Sequence, residues 1–356
     1  MKKTTVVIFF GGKSTEHEVS IRSARMVFNS LDRKKYDILA VAINKKGIFL
    51  SPGQSIDVIK NDVWPLDKNI EKVSISQSEA CIVFEDRKIF FDVAFPVMHG
   101  PFGEDGTMQG LLKLTAVPFV GPGVLGSAIG MDKDVSKRLL RDAGIPIGLF
   151  LSFNKCEINS ISFDLCKKKL GLPLFIKPAN LGSSVGVFKV HNNVEFDIAI
   201  KKAFLFDSKI LIEQYIKGRE IECAVIGNEE LQVSIPGEIV PTHEFYSYDA
   251  KYVDENGAIL NIPANIPASV VRKIQIISEK TYKVLCCDGM ARVDFFLTSK
   301  NELYVNEINT IPGFTSVSMF PKLWEASGIS NQKLVDILVQ LAMDRFKNEN
   351  KLKLTM

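Results

Sequence analysis

Residues 6–42 read VVIFFGGKSTEHEVSIRSARMVFNSLDRKKYDILAVA, and this stretch decides the fold class. Residues 6–10 are all apolar, which predicts a buried strand, and the pair Gly11-Gly12 breaks that strand. A second apolar run over residues 36–42 predicts another strand, and the segment between the two runs predicts a helix. The stretch therefore predicts a βαβ unit in an α/β protein, whose ligands bind at the carboxyl ends of the strands.

The helix between these strands has a start signal of its own. Thr15 and Glu18 stand three residues apart, which is the spacing of a capping box. We therefore expect Thr15 to cap a helix that covers residues 19–31.

Strand-like and helix-like segments alternate along the rest of the chain, without an internal repeat or a low-complexity linker. Val270, Ile274, Ile277 and Leu285 share one face of a predicted amphipathic helix. Ser330 is the predicted N-cap of the last helix. The other predicted strands cover residues 174–177, 210–215, 291–297 and 302–308, and the other predicted helices cover residues 132–143 and 331–346.

Composition excludes several classes of protein. The 356 residues indicate two or three domains, and 46% hydrophobic with 24% charged residues is typical of a globular protein. Acidic and basic residues are interleaved at a net charge of +3, so no basic stripe indicates a nucleic-acid partner. No apolar run approaches the roughly 18 to 20 residues of a membrane span. The six cysteines form no CxxC pair, which favours free thiols and a cytoplasmic location.

Two glycine-containing segments are candidates for binding phosphate. Residues 12–14, Gly-Lys-Ser, resemble the end of a Walker A loop, but the glycine that this motif needs five positions earlier is Val7. Residues 181–186, LGSSVG, fit a phosphate-binding turn better, because two glycines let consecutive N–H groups converge on an anion. Lys177 ends the apolar strand before this turn. The alternative is a flexible turn that binds nothing.

A polar face recurs on two strands near the end of the chain. Alternation places Arg292 and Asp294 on one face of the first strand, and Glu307 and Asn309 on one face of the next. If a turn over residues 298–301 joins them as a hairpin, three oxygen ligands converge, a set that suits Mg²⁺ and the phosphates it carries. Arg292 would then stabilise negative charge that develops during a reaction. The alternative is a solvated salt-bridge face.

The chain as a whole resembles the D-alanine–D-alanine ligases of the ATP-grasp superfamily. The resemblance is spread over about 300 residues, in the order found in that family. Its stretches are residues 11–20 (GGKSTEHEVS), 97–100 (VMHG), 103–107 (GEDGT), 131–133 (MDK), 176–178 (IKP), 182–186 (GSSVG), 248–252 (YDAKY) and 306–315 (NEINTIPGFT).

This resemblance implies an ATP-grasp fold in three domains. Residues 1–130 would form a Rossmann-like substrate domain, residues 131–220 a central ATP-grasp subdomain, and residues 221–356 a C-terminal subdomain with the metal and oxyanion site. The implied activity joins two D-alanine molecules through a D-alanyl phosphate, for peptidoglycan precursors. ATP and two Mg²⁺ ions, or Mn²⁺, would be required. A cytoplasmic homodimer is expected, with neither nucleic acid nor membrane as a partner.

The resemblance also implies roles for individual residues around the two amino acids. Glu16 would hold the ammonium group of the first D-alanine, and His99 would lie near its carboxylate, although a merely buried, hydrogen-bonded histidine is the alternative. Ser318 would bind the carboxylate of the second D-alanine. Arg292 and the N–H of Gly313 would form the oxyanion site. Asp294, Glu307 and Asn309 would be the Mg²⁺ ligands, with Glu307 bridging two ions.

The remaining implied roles concern the nucleotide and a lid. Lys133, Lys177, Ser183 and Ser184 would contact the phosphates of ATP. Glu213, Gln214, Tyr215 and Ile216 would form the hinge that receives adenine, and Glu220 would bind the ribose. Residues 241–257 would form a lid that excludes water from the acyl phosphate. Within this lid, Lys251 would reach a phosphate, and Tyr252 would join Glu16 and Ser183 in a hydrogen-bonded triad.

Two alternative functions differ in the acceptor or in catalysis itself. Relatives that join D-alanine to D-serine or D-lactate typically carry an arginine after the serine that matches Ser318, whereas Met319 and Phe320 follow it here. The lactate-specific enzymes also lack the YDAKY pattern at residues 248–252. A non-catalytic ATP-grasp module is the more distant alternative, and loss of a metal ligand would favour it, but all three ligands are present.

Overall fold

A parallel sheet forms the first part of the computed structural model, which describes residues 2–76, 79–241 and 258–353. Strands β1 (Thr4–Gly11) and β2 (Tyr36–Ile43) pair in parallel and are connected by helix α1 (His17–Ser30). Strand β6 (Val93–Val97) pairs with the other side of β1, which gives the order β2-β1-β6. The predicted βαβ unit is confirmed, and its apolar strands are buried because helices cover the sheet.

The start of α1 differs from the prediction. Helix α1 begins at His17, and its N-cap is Glu16, whose side chain makes no capping hydrogen bond. The capping box that we predicted from Thr15 and Glu18 is therefore wrong. The side chain of Glu16 instead accepts a hydrogen bond from Ser183, 167 residues along the chain. A long-range contact has replaced the local one.

Further elements complete this first part. Helix α2 (Pro52–Asn61) begins at the N-cap Ser51 and packs on β2. A small antiparallel sheet consists of β3 (Ser74–Ile75), β4 (Cys81–Phe84) and β5 (Arg87–Phe90). Helices α3 (Thr107–Leu114) and α4 (Val124–Met131) lead out of the first sheet.

The second sheet is antiparallel, with the strand order β7-β10-β8-β9. Helix α5 (Lys133–Asp142) precedes it and is capped by Asp132, whose side chain accepts from the N–H groups of Asp134 and Val135. The strands are β7 (Phe150–Asn154), β8 (Leu174–Pro178), β9 (Phe188–Val190) and β10 (Lys209–Gln214), and the helices between them are α6 (Phe163–Leu170) and α7 (Asn193–Ala203).

The third sheet is also antiparallel, with the order β14-β13-β11-β15-β16 and β12 paired to β11. Its strands are β11 (Arg219–Gly227), β12 (Leu231–Val233), β13 (Gly237–Pro241), β14 (Ala258–Asn261), β15 (Gly289–Leu297) and β16 (Leu303–Asn309). Its helices are α8 (Ala268–Val284), α9 (Met319–Ala326) and α10 (Asn331–Glu349).

Local predictions about this third sheet are confirmed. Strands β15 and β16 form the expected hairpin, in which Thr298 N–H donates to the carbonyl of Glu302 at 2.9 Å. Val270 and Ile274 of α8 are buried in the core beneath the sheet. Ser330 caps α10, and its side chain accepts from Lys333 N–H. None of the described helices is long and apolar enough to cross a membrane.

The hydrophobic cores have different boundaries from the domains that the sequence led us to expect. Phe196 and Ile210 belong to a core of the second sheet alone. Leu140 of α5 and the nearby Ile145 pack instead into the core of the third sheet. A further core joins the first sheet to α9 and α10, because it contains Phe95 together with residues of both helices. Helix α5 therefore bridges the second and third sheets, and we keep the three-domain division as a proposal.

Candidate active site

The polar residues predicted on one face of the β15–β16 hairpin lie close together in the structure. Asp294 and Glu307 are direct cross-strand partners, and Arg292 is the partner of Asn309. The neighbouring strand β11 adds Glu222, which is the partner of Asp294 on the other side. Because side chains that are opposite one another on adjacent strands share a face, three carboxylates lie close together on this sheet.

Arg292 holds this cluster together. Its guanidinium donates to both oxygens of Asp294, at 2.7 and 2.8 Å, and its Nε lies 2.8 Å from Glu222. Asn309 also donates to Asp294, at 2.8 Å. Burial alone would lower the pKa of Arg292, but Asp294 and Glu222 hold it well above its usual range. The arginine is therefore a permanent cation beneath a group of carboxylates, and it is not a solvated surface residue.

The donor set fits a hard divalent cation. Carboxylate oxygens of Asp294 and Glu307 and the amide of Asn309 share one face, and oxygen donors are what Mg²⁺ prefers. Among the described residues, no group of three or more His, Cys, Asp or Glu side chains is arranged to hold a metal ion without other ligands. An amide and the phosphates of a substrate would therefore have to complete the coordination, which is the usual situation for Mg²⁺.

The glycine-rich turn after β8 has the backbone of a phosphate cradle. Ser183 and Ser184 both have left-handed conformations, with φ of 52° and 59°. Consecutive residues of this kind are uncommon outside glycine, and they turn neighbouring N–H groups in new directions. Ser183 Oγ donates to Glu16, so the turn is tied to the first sheet. Lys133 Nζ donates to the carbonyl of Leu181 at 2.6 Å and lies 3.6 Å from Glu307.

A cavity of about 460 Å³ lies between the second and third sheets. Its far end is aromatic, because Tyr215 stacks on Phe175 with ring centroids 5.9 Å apart. Of the residues that the sequence assigned to the nucleotide, all those within the described ranges line this cavity: Lys133, Lys177, Ser183, Ser184, Glu213, Gln214, Tyr215, Ile216 and Glu220. Its size and its mixture of apolar and charged walls suit one ligand with a flat ring and an anionic tail.

A buried cluster of charges supports the middle of this cavity. Lys177 Nζ lies 2.8 Å from one oxygen of Glu213, and Lys137 Nζ lies 3.2 Å from the other. All three residues are buried. Burial alone would raise the pKa of Glu213, but Lys137 and Lys177 together hold it below its usual range. Glu213 is therefore an ionised carboxylate between two lysines.

A second, smaller cavity of about 110 Å³ adjoins the first. Glu16 lies at the start of α1 and His99 lies in the loop after β6, whereas Arg292, Asn309, Gly313 and Ser318 come from the third part of the chain. The two cavities share Gly182, Ser183, Ile239 and Glu307. The structure thus brings the residues that the sequence assigned to the amino acids together in one place, directly beside the cavity assigned to the nucleotide.

His99 lies in the wall of the smaller cavity and connects two parts of the chain. Its Nδ1 lies 3.0 Å from the carbonyl of Ile311, to which it donates, and its Nε2 lies 3.0 Å from Ser23 Oγ, which donates to it. Ser23 Oγ in turn accepts from Phe314 N–H. Burial lowers the pKa of His99, so the ring is neutral. Both nitrogens are engaged, and His99 therefore positions the loop that carries Gly313.

The loop that carries Gly313 and the start of α9 form the opposite wall of the smaller cavity. Ser318 Oγ accepts from Thr315 N–H at 3.0 Å and lies 2.8 Å from Thr315 Oγ1. A Cβ placed on Gly313 would come within 2.8 Å of Ser318 Oγ, so a larger residue at this position would displace the Ser318 side chain. Gly313 and Ser318 therefore pack against each other in the wall of the smaller cavity.

Three charged residues of this region were missed by sequence reasoning. Glu104 lines the smaller cavity, where its carboxyl accepts from Gly100 N–H at 2.7 Å and Ile311 N–H at 3.1 Å. Burial and the nearby Glu16 raise the pKa of Glu104 to about 8. Glu222 and Lys137 were also missed. Glu104 lies within the stretch 103–107 that resembles the ligase family, and Lys137 is one helical turn from Lys133. Nothing in the spacing of the sequence indicated which residues these two side chains would contact.

Two predicted site residues, Lys251 and Tyr252, lie outside the described residues, as does nearly all of the predicted lid. Lys13 of the apparent Walker motif lies away from both cavities, with its Nζ 5.8 Å from the ring centroid of Phe102. This placement agrees with rejecting that motif.

Comparison with known families and structures gives one consistent result. Residues 5–122 match the family described as D-ala D-ala ligase N-terminus, and residues 139–340 match D-ala D-ala ligase C-terminus. The chain is 49% identical to the D-alanine–D-alanine ligase of Oceanobacillus iheyensis, over 99% of this chain and 98% of that protein. It is 47% identical to D-alanine–D-alanine ligase A of Escherichia coli over the full length of both.

Solved structures agree. The D-alanine–D-alanine ligase of Coxiella burnetii superimposes with a TM-score of 0.86 at 38% identity, covering 99% of this chain and 97% of that one. The VanG D-Ala:D-Ser ligase of Enterococcus faecalis superimposes with a TM-score of 0.87 at 37% identity, covering 96% of this chain and all of the other.

Proposed function

The chain belongs to the D-alanine–D-alanine ligase family, and we propose that it uses ATP to join two D-alanine molecules into D-alanyl-D-alanine for peptidoglycan synthesis. Membership is established by the two family matches and by full-length relatives at 47 to 49% identity. The ATP-grasp fold expected from the sequence is confirmed by its structural relatives. A non-catalytic module is thereby excluded, since the relatives over the whole length are ligases.

One observation carries the proposal for the site: the larger and the smaller cavity share the lining residues Gly182, Ser183, Ile239 and Glu307. A carboxylate is a poor electrophile, and phosphorylation gives it a leaving group. The phosphate donor and the carboxylate must therefore meet in one enclosed space. The shared wall is where the terminal phosphate of ATP would meet the first D-alanine.

In the first step, the carboxylate of the first D-alanine attacks the terminal phosphate, which gives D-alanyl phosphate and ADP. Lys177 and Lys133 line the cavity where the phosphates would lie, and a lysine stabilises charge that spreads over a transferring phosphoryl group. Glu16 supplies a carboxylate to the ammonium group of D-alanine, and its contact with Ser183 aligns the amino acid with the phosphate-binding turn.

Asp294, Glu307 and Asn309 would hold the divalent metal. Mg²⁺ at this position supplies charge neutralisation for the phosphates, and we propose two ions bridged by Glu307. The chain's own part is to keep these oxygens fixed, which Arg292 does by holding both oxygens of Asp294.

In the second step, the amine of the second D-alanine attacks the acyl phosphate, and a tetrahedral oxyanion forms before phosphate leaves. Arg292 and the N–H of Gly313 are the donors that we assign to this oxyanion, since both residues line the smaller cavity. Ser318 lines the same cavity and would bind the carboxylate of the second substrate. His99 keeps the loop of Gly313 in place through Ile311.

Several finer features remain part of this proposal. We propose three domains with the expected boundaries, a lid over residues 241–257 with Lys251 and Tyr252 in the assigned roles, and a homodimer. A cytoplasmic location is supported by the six cysteines, which are all free thiols.

The nature of the acceptor has one serious alternative, D-serine, because the VanG D-Ala:D-Ser ligase superimposes as well as a D-alanine–D-alanine ligase does. Met319 follows Ser318 here and lines the smaller cavity as a buried apolar wall. An apolar wall favours the methyl group of D-alanine over the hydroxyl of D-serine, although by only about 1 to 3 kcal/mol.

The test is an assay of phosphate release with ATP, Mg²⁺ and D-alanine, combined with mass spectrometry of the products. Parallel reactions contain D-alanine with equimolar D-serine or D-lactate. We expect D-alanyl-D-alanine as the main product in all three. A main product that contains D-serine or D-lactate would overturn the acceptor assignment, and no phosphate release with any D-amino acid would overturn the activity.

A further inference from the structure

Three elements meet at the buried cluster around Glu213. Lys137 comes from α5, Lys177 from β8 and Glu213 from β10. The β8–β10 register pairs Lys177 with Leu211, so Glu213 is two residues further along and on the same face of the sheet. Lys137 is one turn along α5 from Lys133 and therefore shares its face of the helix.

The two lysines differ in what they can reach. Lys177 and Glu213 both line the nucleotide cavity, whereas Lys137 is absent from the described residues that line it. The side chain of Lys137 is only 3% exposed. A ligand in the cavity can therefore contact Lys177 but not Lys137.

The charges in this cluster create a conflict for Lys177. Its ammonium group lies 2.8 Å from Glu213, so a phosphate that binds Lys177 has to compete with this carboxylate. If Lys177 had been the only cation, its departure would leave a buried carboxylate without compensation, which is strongly unfavourable. Lys137 removes the conflict, because it remains 3.2 Å from the other oxygen of Glu213.

We propose that Lys137 is a positioning residue for ATP: it stays on Glu213 when the phosphates draw Lys177 away, and so makes the charge of Lys177 available to the nucleotide. This inference rests on the proposed function, since it assumes that the larger cavity binds ATP. Burial lowers the pKa of Lys137, and the neighbouring Glu213 opposes this shift. With both lysines protonated, the cluster has one cation more than it has anions, and this surplus charge is what the phosphates would meet.

The test measures nucleotide affinity directly, by calorimetry with ADP and Mg²⁺ in the absence of D-alanine. Lys137→Met removes the charge and keeps the length of the side chain, and we expect the affinity for ADP to fall about tenfold or more. Lys137→Arg keeps the charge and should restore affinity to within about threefold. The KM for D-alanine should change little in either variant.

The combination with Glu213→Gln separates this mechanism from a merely structural role. Once Glu213 has no charge, Lys177 has no carboxylate to leave, so Lys137→Met in the Glu213→Gln background should have little effect on affinity. An equal loss in both backgrounds would overturn the proposal, as would parental affinity in Lys137→Met. If Lys137→Met does not fold, Lys137→Gln provides a second neutral replacement, and the double variant removes both members of the buried pair.

Lys167→Met, at an exposed position on α6, is the matched control and should bind ADP as the parent does. Failure of the parent and of this control to bind ADP would count against the proposed function. Normal binding by both, with no effect of Lys137→Met, would count against this inference alone.

Discussion

The two sheets that enclose the nucleotide cavity carry buried charge clusters of opposite surplus. At the second sheet, Lys177 and Lys137 of the adjoining helix α5 surround the single carboxylate of Glu213. On the third sheet, Arg292 lies among the carboxylates of Glu222, Asp294 and Glu307. Each cluster neutralises part of its own charge, because isolated buried charges are too costly. The remaining charge is positive on one side and negative on the other.

This difference indicates what each side accepts. A surplus cation on the second sheet suits phosphate, and surplus carboxylates on the third sheet suit divalent metal ions. Lys133 lies between them, with its Nζ 3.6 Å from Glu307 and 2.6 Å from the carbonyl of Leu181. A metal–nucleotide complex that fits between the sheets would satisfy both surpluses at once, which a nucleotide or a metal alone would not.

The largest expected effect comes from reducing the negative surplus. Glu307→Gln should lower kcat by about 10³-fold or more, because several kcal/mol of charge stabilisation depend on this carboxylate. Glu302→Gln, at an exposed position just before β16, is the control and should retain parental activity. Both variants should have parental melting temperatures to within a few degrees. Activity of Glu307→Gln within about tenfold of the parent would show that the metal site is misplaced.

Removing the cation of the same cluster should have a smaller effect on the rate. Arg292→Ala should lower kcat by about 10² to 10³ with little change in the KM for D-alanine, since an oxyanion donor acts mainly in the transition state. It should also destabilise the fold by about 3 to 5 kcal/mol, since Glu222 and Asp294 lose their buried partner.

Arg292→Lys separates these two effects. It keeps the charge but cannot hold both oxygens of Asp294 at once, so it should recover stability more than rate. Steady-state kinetics and urea unfolding provide the two readings. A raised KM with an unchanged kcat in Arg292→Ala would contradict the oxyanion role.

His99 tests whether neutral hydrogen bonds also hold the site together. Burial lowers the pKa of His99, so the unfolded chain binds a proton that the folded protein does not. The stability due to neutral His99 is therefore fully present above the unfolded pKa of about 6.5 and is lost as the pH falls below it. Between about pH 7 and pH 5, the parent should lose more in melting temperature than His99→Gln does. Glu104, whose raised pKa acts in the opposite direction, contributes to both proteins.

The exposed His191 provides the control for this experiment, because His191→Gln should leave the slope unchanged. If His99→Gln has the same slope as the parent, the stability of the fold at acidic pH does not depend on His99.

The smallest expected effect tests whether burial, and not the ion-pair distance, makes these clusters important. Lys45 and Glu18 form a pair at 2.9 Å, almost the distance between Lys177 and Glu213, but both of their side chains are more than half exposed. Lys45→Met should change the free energy of unfolding by less than about 1 kcal/mol and leave the KM for ATP unchanged. If Lys45→Met lost as much free energy of unfolding as Lys177→Met, burial would not be what makes the charge clusters important.

Part of the secondary structure and many of the polar residues that line the two cavities could be predicted from the sequence. A continuous apolar run identified β1, and polar–apolar alternation identified β15 and β16, whose pairing a four-residue turn specified. The error at Thr15 has a physical reason. Glu16 is directed to Ser183, so the chain enters α1 without the local cap that the spacing predicted.

The sequence by itself determined which chemical groups are present and in what order: the glycine turn, the lysines, the paired carboxylates and the family to which the chain belongs. Only the tertiary structure decided which charges meet. The contacts of Lys137 with Glu213 and of Arg292 with Glu222 join residues 76 and 70 positions apart. No local periodicity specifies such pairs, because they depend on how the sheets and α5 pack together. The cavities share Ser183 and Glu307 for the same reason, and under the proposed function this shared wall would place the phosphates beside the amino acids.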